Sequence, residues 1–189
     1  MRPLAEQLAP LLLTAAQAAA LDVHGRTDAA VLVALFESSG ELHCVFTRRR
    51  GDLRRHAGEI SFPGGRQDPG EDLRETALRE AEEEIGLPRE AVNVVGALTP
   101  TPTLVTSYAV YPFVGVIETG HSWSPQASEV DEVLELPLLA LRDGHSRQRL
   151  LRRGVPFPTD VYEVEGAFIW GATARMLRDL FERLEPLLS

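Results

Sequence analysis

The stretch Gly65–Leu87 reads GRQDPGEDLRETALREAEEEIGL, and its spacing organises the rest of the chain. Asp72 is a favourable N-cap, with Glu75 three residues on in the pattern of a capping box. Gly86 supplies a left-handed stop, so the pattern predicts a helix from about Leu73 to Ile85. At ~100° per residue, Leu73, Ala77, Ala81 and Ile85 form a slanting apolar stripe suited to packing on a sheet. Glu80, Glu83 and Glu84 fall in an adjoining sector of about 100°, and Glu82 points away from it.

Three carboxylates at i, i+3 and i+4 repel one another by a few tenths of a kcal/mol per neighbouring pair. They also occupy the last turns of the helix, where the dipole disfavours an anion by roughly 0.3–1 kcal/mol. A helix serving only as scaffold would more readily place Lys or Arg there. A divalent cation held by oxygen ligands removes both penalties, which points to a hard ion, Mg²⁺ with Mn²⁺ as the alternative, over zinc. The competing reading of the glutamate run alone is a solvated acidic face.

The full spacing resembles the Nudix box, G-x5-E-x7-R-E-U-x-E-E-x-G-U with U apolar. Gly65, Glu71, Arg79, Glu80, Ala81, Glu83, Glu84, Gly86 and Leu87 match it at every position. Seven fixed residue types at roughly one in fifteen each coincide by chance about once in 10⁸ starting positions.

At 189 residues the chain is long enough to bury a substantial core as one domain. Its organisation is expected to be a helical extension over 1–22 followed by the domain carrying the box at 65–87. The apolar fraction of 44% and charged fraction of 25% are those of an ordinary globular protein. A net charge of −9 argues against generic binding to nucleic acid or an anionic membrane. Cys44 stands alone and within an apolar run, so it reads as a buried strand residue, not a nucleophile. Arg2, the run from Leu8 to Ala20 and the cluster Ala18–Ala19–Ala20 imitate a secretory signal. Glu6, Gln7, Pro10, Thr14 and Gln17 interrupt that run, while Leu4, Leu8, Leu11, Leu12 and Ala15 follow helical spacing. The expectation is an amphipathic helix in a cytoplasmic protein, monomeric or homodimeric.

Ala29 to Phe36 and Leu42 to Thr47 read as a hairpin turning at Ser38–Ser39–Gly40. Arg48, Arg49, Arg50, Arg54 and Arg55 then concentrate positive charge as nothing else in the chain does. Taken alone they suit a solubilising loop. Beside a metal-binding helix they suit a phosphate clamp, because guanidinium forks match phosphate oxygens. His56 is either a phosphate contact or base, or a structural histidine. Gly64 and Gly65 let backbone approach a bound phosphate or metal. Further strands are expected over Ala91–Leu98, Leu104–Ile117, Glu129–Val133 and Val161–Trp170, with Thr99–Thr103 a stiff loop. His121–Gln126 reads as polar and turn-rich. Pro137–Leu141 suggests a short helix with Pro137 near its first turn. Arg142 to Arg153 reads as an Arg-rich loop able to close over substrate. Gly171–Leu187 reads as an amphipathic closing helix.

The resemblance extends beyond the box. Thr47-x-Arg49, Arg54-x3-Gly58 and Phe62–Pro63–Gly64–Gly65 look like the upstream pattern of the coenzyme A pyrophosphatase subfamily. Ile169–Trp170–Gly171–Ala172–Thr173–Ala174–Arg175 is similar to a later segment of the same subfamily. This likeness implies an α/β/α sandwich with a mixed sheet between helical layers and a loop-helix-loop metal site. It implies hydrolysis of coenzyme A or its derivatives to 3′,5′-ADP and 4′-phosphopantetheine. By helix geometry Glu80 and Glu84 are the foremost metal ligands, with Glu83 a third ligand or the water-activating base. The family ascribes an ion-pairing role to Glu71 and Arg79. Arg49, Arg54 and Arg55 are candidates for the substrate phosphates, and a distant Glu129, Glu132 or Glu163 is an alternative base. ADP-ribose, NADH and dinucleoside polyphosphates remain alternative substrates. A non-catalytic nucleotide-binding module is the alternative from another class, against which the intact glutamates argue.

Overall fold

The computed structural model describes residues 3–21, 23–52, 58–103, 107–152 and 154–188. Two one-turn helices, α1 (Leu4–Leu8) and α2 (Ala15–Ala19), precede the hairpin β1 (Thr27–Ser38) and β2 (Glu41–Arg49). β3 (Ile60–Ser61) and β4 (Gly64–Arg66) lead into α3 (Leu73–Ile85). β5 (Asn93–Ala97), β6 (Thr101–Pro102), β7 (Tyr108–Val116) and β8 (Val130–Pro137) follow. The chain ends through α4 (Leu138–Asp143), β9 (His145–Arg152), β10 (Val155–Val164), β11 (Ala167–Trp170) and α5 (Gly171–Leu184).

β1 runs parallel to β7 over Thr27–Leu35 and antiparallel to β2 and β4. This gives the mixed sheet, covered by helices on both faces. The two-sided cover explains why β1 reads as a nearly continuous apolar run, AAVLVALF, instead of alternating. Ala30, Leu32 and Ala34 pack with Ala77, Leu78, Ala81 and Ile85 of α3. Val33 and Leu35 join Phe46, Ile169, Leu177 and Leu180 on the other face, which carries α5. Cys44 is fully buried there, and burial pushes its thiol well above its ordinary range, so it is an inert core residue. No helix among the described residues is long and apolar enough to cross a membrane.

Several expectations change. The N-terminal stretch is not one amphipathic helix, because Pro10 falls in a 3-10 turn between α1 and α2. Thr14 then restarts the chain with a capping box to Gln17, and Leu13 bridges to Ala97 beside β5. Over 142–152 the expected closing loop is not formed: Arg142 and Asp143 end α4, and β9 pairs with β10 from His145 to Arg152 in a separate three-stranded sheet, while Arg153 lies outside the described residues. Its strand signal is faint because the inward positions include polar Ser146 and Gln148, and pairing with β10 overrides that weak local preference. Within Thr99–Thr103, Thr101–Pro102 forms a short strand against β7. Pro137 is the N-cap of α4 and closes β8, which runs longer than the Glu129–Val133 stretch suggested.

Candidate active site

α3 begins and ends where its local chemistry dictates. Asp72 caps it by accepting from the Arg74 N–H at 2.8 Å, and Gly86 closes it at φ 71° with its N–H on the Glu82 carbonyl. The reciprocal half of a capping box is absent from the described contacts: Glu75 pairs with the guanidinium of Arg74. The last carbonyls are met from outside the helix. Ser124 N–H donates to Ile85 and Gln126 N–H to Glu84, at 3.0 and 2.9 Å. The turn-rich segment 121–126 therefore docks on the C-terminus of α3, and the chain after it delivers Glu129.

Arg79 is the hub of the charged face. Its Nε and Nη2 fork onto Glu71 at 2.9 and 3.0 Å, and its Nη1 donates to Glu80 at 2.8 Å and Glu83 at 3.3 Å. Nη2 also reaches the Arg66 carbonyl. The Arg79 hydrogen bonds hold Glu71 down to about 2 against the opposing burial, with Thr76 and the Asp68 N–H assisting. Glu71 in turn pushes Arg79 further above its already high range. The arginine is thus a permanent cation that fixes three carboxylates in place.

Glu84 is the contrasting residue. It is 8% exposed, and one carboxylate oxygen accepts the Gly64 N–H at 3.0 Å. Burial pushes it up to about 7; the Gly64 bond opposes this, Glu80 and Glu129 add to it, and Arg49 counters them. Burial also raises Glu80, against the pull of Arg79. Gly65 lies flat against the Glu80 carboxylate, so a Cβ there would come within 2.5 Å of its oxygens. Gly64 lies as closely on β1, where a Cβ would sit 2.6 Å from Val31 Cα. Gly64 therefore requires glycine against fixed backbone, whereas a side chain at Gly65 would push the Glu80 carboxylate out of its place.

Glu83 is peripheral: its side chain is 54% exposed and turned to Arg79. Among the described residues no set of three or more acidic, His or Cys side chains closes into a metal cage. The Glu80–Glu84 pair alone fits a hard divalent cation, being two mutually repelling, partly desolvated carboxylates one turn apart. Such an ion commonly takes one or two carboxylates and completes its shell with water and substrate phosphate.

The arginine run does not act as one clamp among the described residues. Arg48 binds Glu132 at 3.1 Å and Arg50 binds Asp52, whereas Arg49 lies 3.6 Å from Glu129 and near Glu84. A register shift between Arg48 and Arg49 separates these neighbours, as bulges beside functional sites do. Arg49 Nε is buried without a hydrogen-bond partner among the described residues. Arg54, Arg55 and His56 lie outside the described residues. Of the three distal glutamates, Glu129 is the one brought to the acidic face; Glu132 is engaged by Arg48, and Glu163 by Gln148 in the smaller sheet. A cavity of about 550 Å³ opens between Arg50–Asp52 and the 125–131 segment. The docking of that segment on α3 had no local signature, because its hydrogen bonds span some forty residues of intervening sheet.

The NUDIX domain family model matches residues 26–153, more than half of the chain. The uncharacterised Nudix hydrolase NudL of Salmonella paratyphi B is 38% identical over 148 residues, covering 72% of each protein, as is its Salmonella newport counterpart. Among solved structures, the MutT protein of Methanosarcina mazei superposes with a TM-score of 0.54 at 20% identity, covering 85% of this chain and 94% of its own. The NUDIX domain of Shewanella oneidensis NrtR, solved with ADP ribose, does so at 0.54 and 15% identity, covering 94% and 100%. These likenesses establish the same mixed α/β fold. Nudix hydrolases generally use divalent cations such as Mg²⁺. With the match running through the strands and helix that build this acidic face, the chain belongs to the Nudix hydrolases, enzymes that open nucleotide-linked phosphoric anhydrides.

Proposed function

We propose that this protein is a Mg²⁺- or Mn²⁺-dependent pyrophosphohydrolase that splits coenzyme A, or its acyl or oxidised forms, into 3′,5′-ADP and 4′-phosphopantetheine. The observation that carries the chemistry is the buried Glu84, raised to about 7 beside Glu80 and facing a single nearby arginine. Neighbouring carboxylates desolvated in this way are arranged for a task and not for stability. A divalent cation on Glu80 and Glu84 would neutralise charge on the leaving phosphate and make water a stronger nucleophile at neutral pH.

The chain's own residues supply the rest. Gly64 N–H orients Glu84, while Arg79, anchored by Glu71, orients Glu80 and holds Glu83 at the rim. Water attacks one phosphorus, the P–O bond of the anhydride breaks, and the leaving phosphate keeps the electron pair. We assign the proton of that water to Glu129, whose charge reaches both Glu80 and Glu84. Arg49, with its unpartnered Nε, is the donor for a substrate phosphate. Arg54, Arg55 and the backbone at Gly64 and Gly65 are proposed to complete that binding.

The choice of coenzyme A rests on the likeness of Thr47–Gly65 and Ile169–Arg175 to the pyrophosphatase subfamily. ADP-ribose, the ligand of the NrtR domain with the same fold, is the second reading. Incubation with Mg²⁺ and each compound, followed by product analysis, separates them. Release of 3′,5′-ADP from coenzyme A with little attack on ADP-ribose is expected. Cleavage of ADP-ribose alone would overturn the substrate, and turnover of neither would overturn the assignment.

A further inference from the structure

Trp170 and its segment are not used by the acidic face. Trp170 and Phe168 are alternate residues of β11, so both project from one face of the smaller sheet, opposite the buried Ala167 and Ile169. Phe168 is 39% exposed and is the one aromatic among the exposed large apolar side chains of the described residues. Together with Arg48, Glu59, Ile60 and Gly166 they line a cleft of about 260 Å³ where the smaller sheet meets β2 and β3. Glu132 holds Arg48 through Nε, which fixes the plane of the guanidinium at the cleft.

The cleft adjoins the hydrolytic centre. Arg49 exchanges backbone hydrogen bonds with Glu59 and Gly58 at 2.9 and 3.0 Å, so the strand pair that carries Arg49 forms one wall of the cleft. The neighbouring side chains Arg48 and Arg49 therefore serve two adjoining compartments. Sites for drug-sized ligands run from roughly 300 to 1,000 Å³, so this cleft suits one moiety of a substrate and not a whole nucleotide anhydride. The exposed ring of Phe168 and the half-buried Trp170, beside a pinned guanidinium, favour a flat, electron-rich ring, the combination by which unpaired bases are stacked. Among the described residues the cleft's one arginine is already engaged by Glu132.

We infer that the Trp170–Phe168–Arg48 cleft binds the adenine base of the substrate while Arg49 and the acidic face take the pyrophosphate. This rests on the reading of the substrate as an adenine nucleotide anhydride, but not on the choice of coenzyme A. The protein has two tryptophans, so W123F leaves Trp170 as the sole tryptophan, read under excitation that spares the tyrosines. Titration of that variant with adenosine 5′-monophosphate should quench Trp170, and ribose 5-phosphate should not. In the wild-type background, Phe168→Ala should raise KM for the adenine substrate roughly tenfold with kcat within about twofold. Equal responses to the two probes, or an unchanged KM in F168A, would overturn the inference even if coenzyme A is cleaved. Quenching by the adenine nucleotide that F168A weakens would uphold it even if coenzyme A proves not to be the substrate.

Discussion

α3 and α5 flank opposite faces of the same sheet and are built to different specifications. α5 buries Met176, Leu177, Leu180 and Leu184, and its late turns pair Arg183 with Asp179 at 3.0 Å. α3 buries Thr76, Ala77, Leu78, Ala81, Ile85 and the carboxylate-bearing Glu84, has no basic residue in its last turn, and carries Glu80, Glu82, Glu83 and Glu84 toward its end. The first arrangement is what packing and the helix dipole favour. The second departs from both most on the face that meets Gly64, Gly65 and Glu129, where Glu80 and Glu84 are desolvated together, whereas Glu82 on the other side is met by Arg89. Electrostatic strain concentrated there is what the proposed cation site on Glu80 and Glu84 would relieve.

The largest expected effect separates the two helices by chemistry. Glu84→Gln should lower Mg²⁺-dependent turnover at least ~1,000-fold, about 4 kcal/mol at the barrier, without loss of cooperative unfolding. Near-full activity in that variant would remove Glu84 from the metal site. Leu180→Ala on α5 should do the converse, costing about 3 kcal/mol of stability through an unfilled core volume. Its kcat, measured on folded protein well below the new Tm, should stay at the wild-type level. A specific fall in kcat there would show that α5 is not merely scaffold.

pH sharpens the contrast. Glu84 ordinarily ionises near 4.5 and is raised to about 7 when folded, so between those values the folded chain retains a proton that the unfolded chain releases. Stability of the metal-free protein should therefore fall as pH rises through that window, by at most about 1.4 kcal/mol per unit. Denaturant titrations should show this slope, and Mg²⁺ or E84Q should flatten it; a slope untouched by either would contradict the assigned burial. Glu71 acts in the opposite sense. Its folded value of about 2 contributes stability above pH 4.5 that is lost as pH falls toward 2, and E71Q should abolish that acid limb. The smallest effect is the control. Glu182 on α5 pairs with Arg178 at 3.7 Å while 68% exposed, so Glu182→Ala should change stability by less than about 0.5 kcal/mol and leave turnover alone.

Much of α3 was legible from its residues. Asp72, Gly86 and the alanine–isoleucine stripe are interactions between neighbours in sequence, and the observed Leu73–Ile85 span coincides with that pattern. The pairing of Arg79 with Glu71 spans eight residues, about two turns, and follows the spacing of the box. The capping box was not formed, because Arg74 offered Glu75 a stronger, charged partner. The arginine run was harder to read. Consecutive residues on a strand face opposite sides, and a bulge separated Arg48 from Arg49, so adjacency in sequence did not produce a shared clamp.

Sequence by itself determined the helix, its acidic face, the two-sided sheet and the family, because capping, periodicity and motif spacing are short-range properties. Only the tertiary structure decided that Glu129, and not Glu132 or Glu163, stands beside Glu80 and Glu84. Strand pairing likewise made β9 of His145–Arg152 within the expected loop and set Trp170 and Phe168 beside Arg48. The docking of the 121–129 segment on α3 and the cleft join residues some forty to more than a hundred positions apart and leave no local pattern, while β9 takes its register from the adjacent strand β10 and not from its own weak alternation.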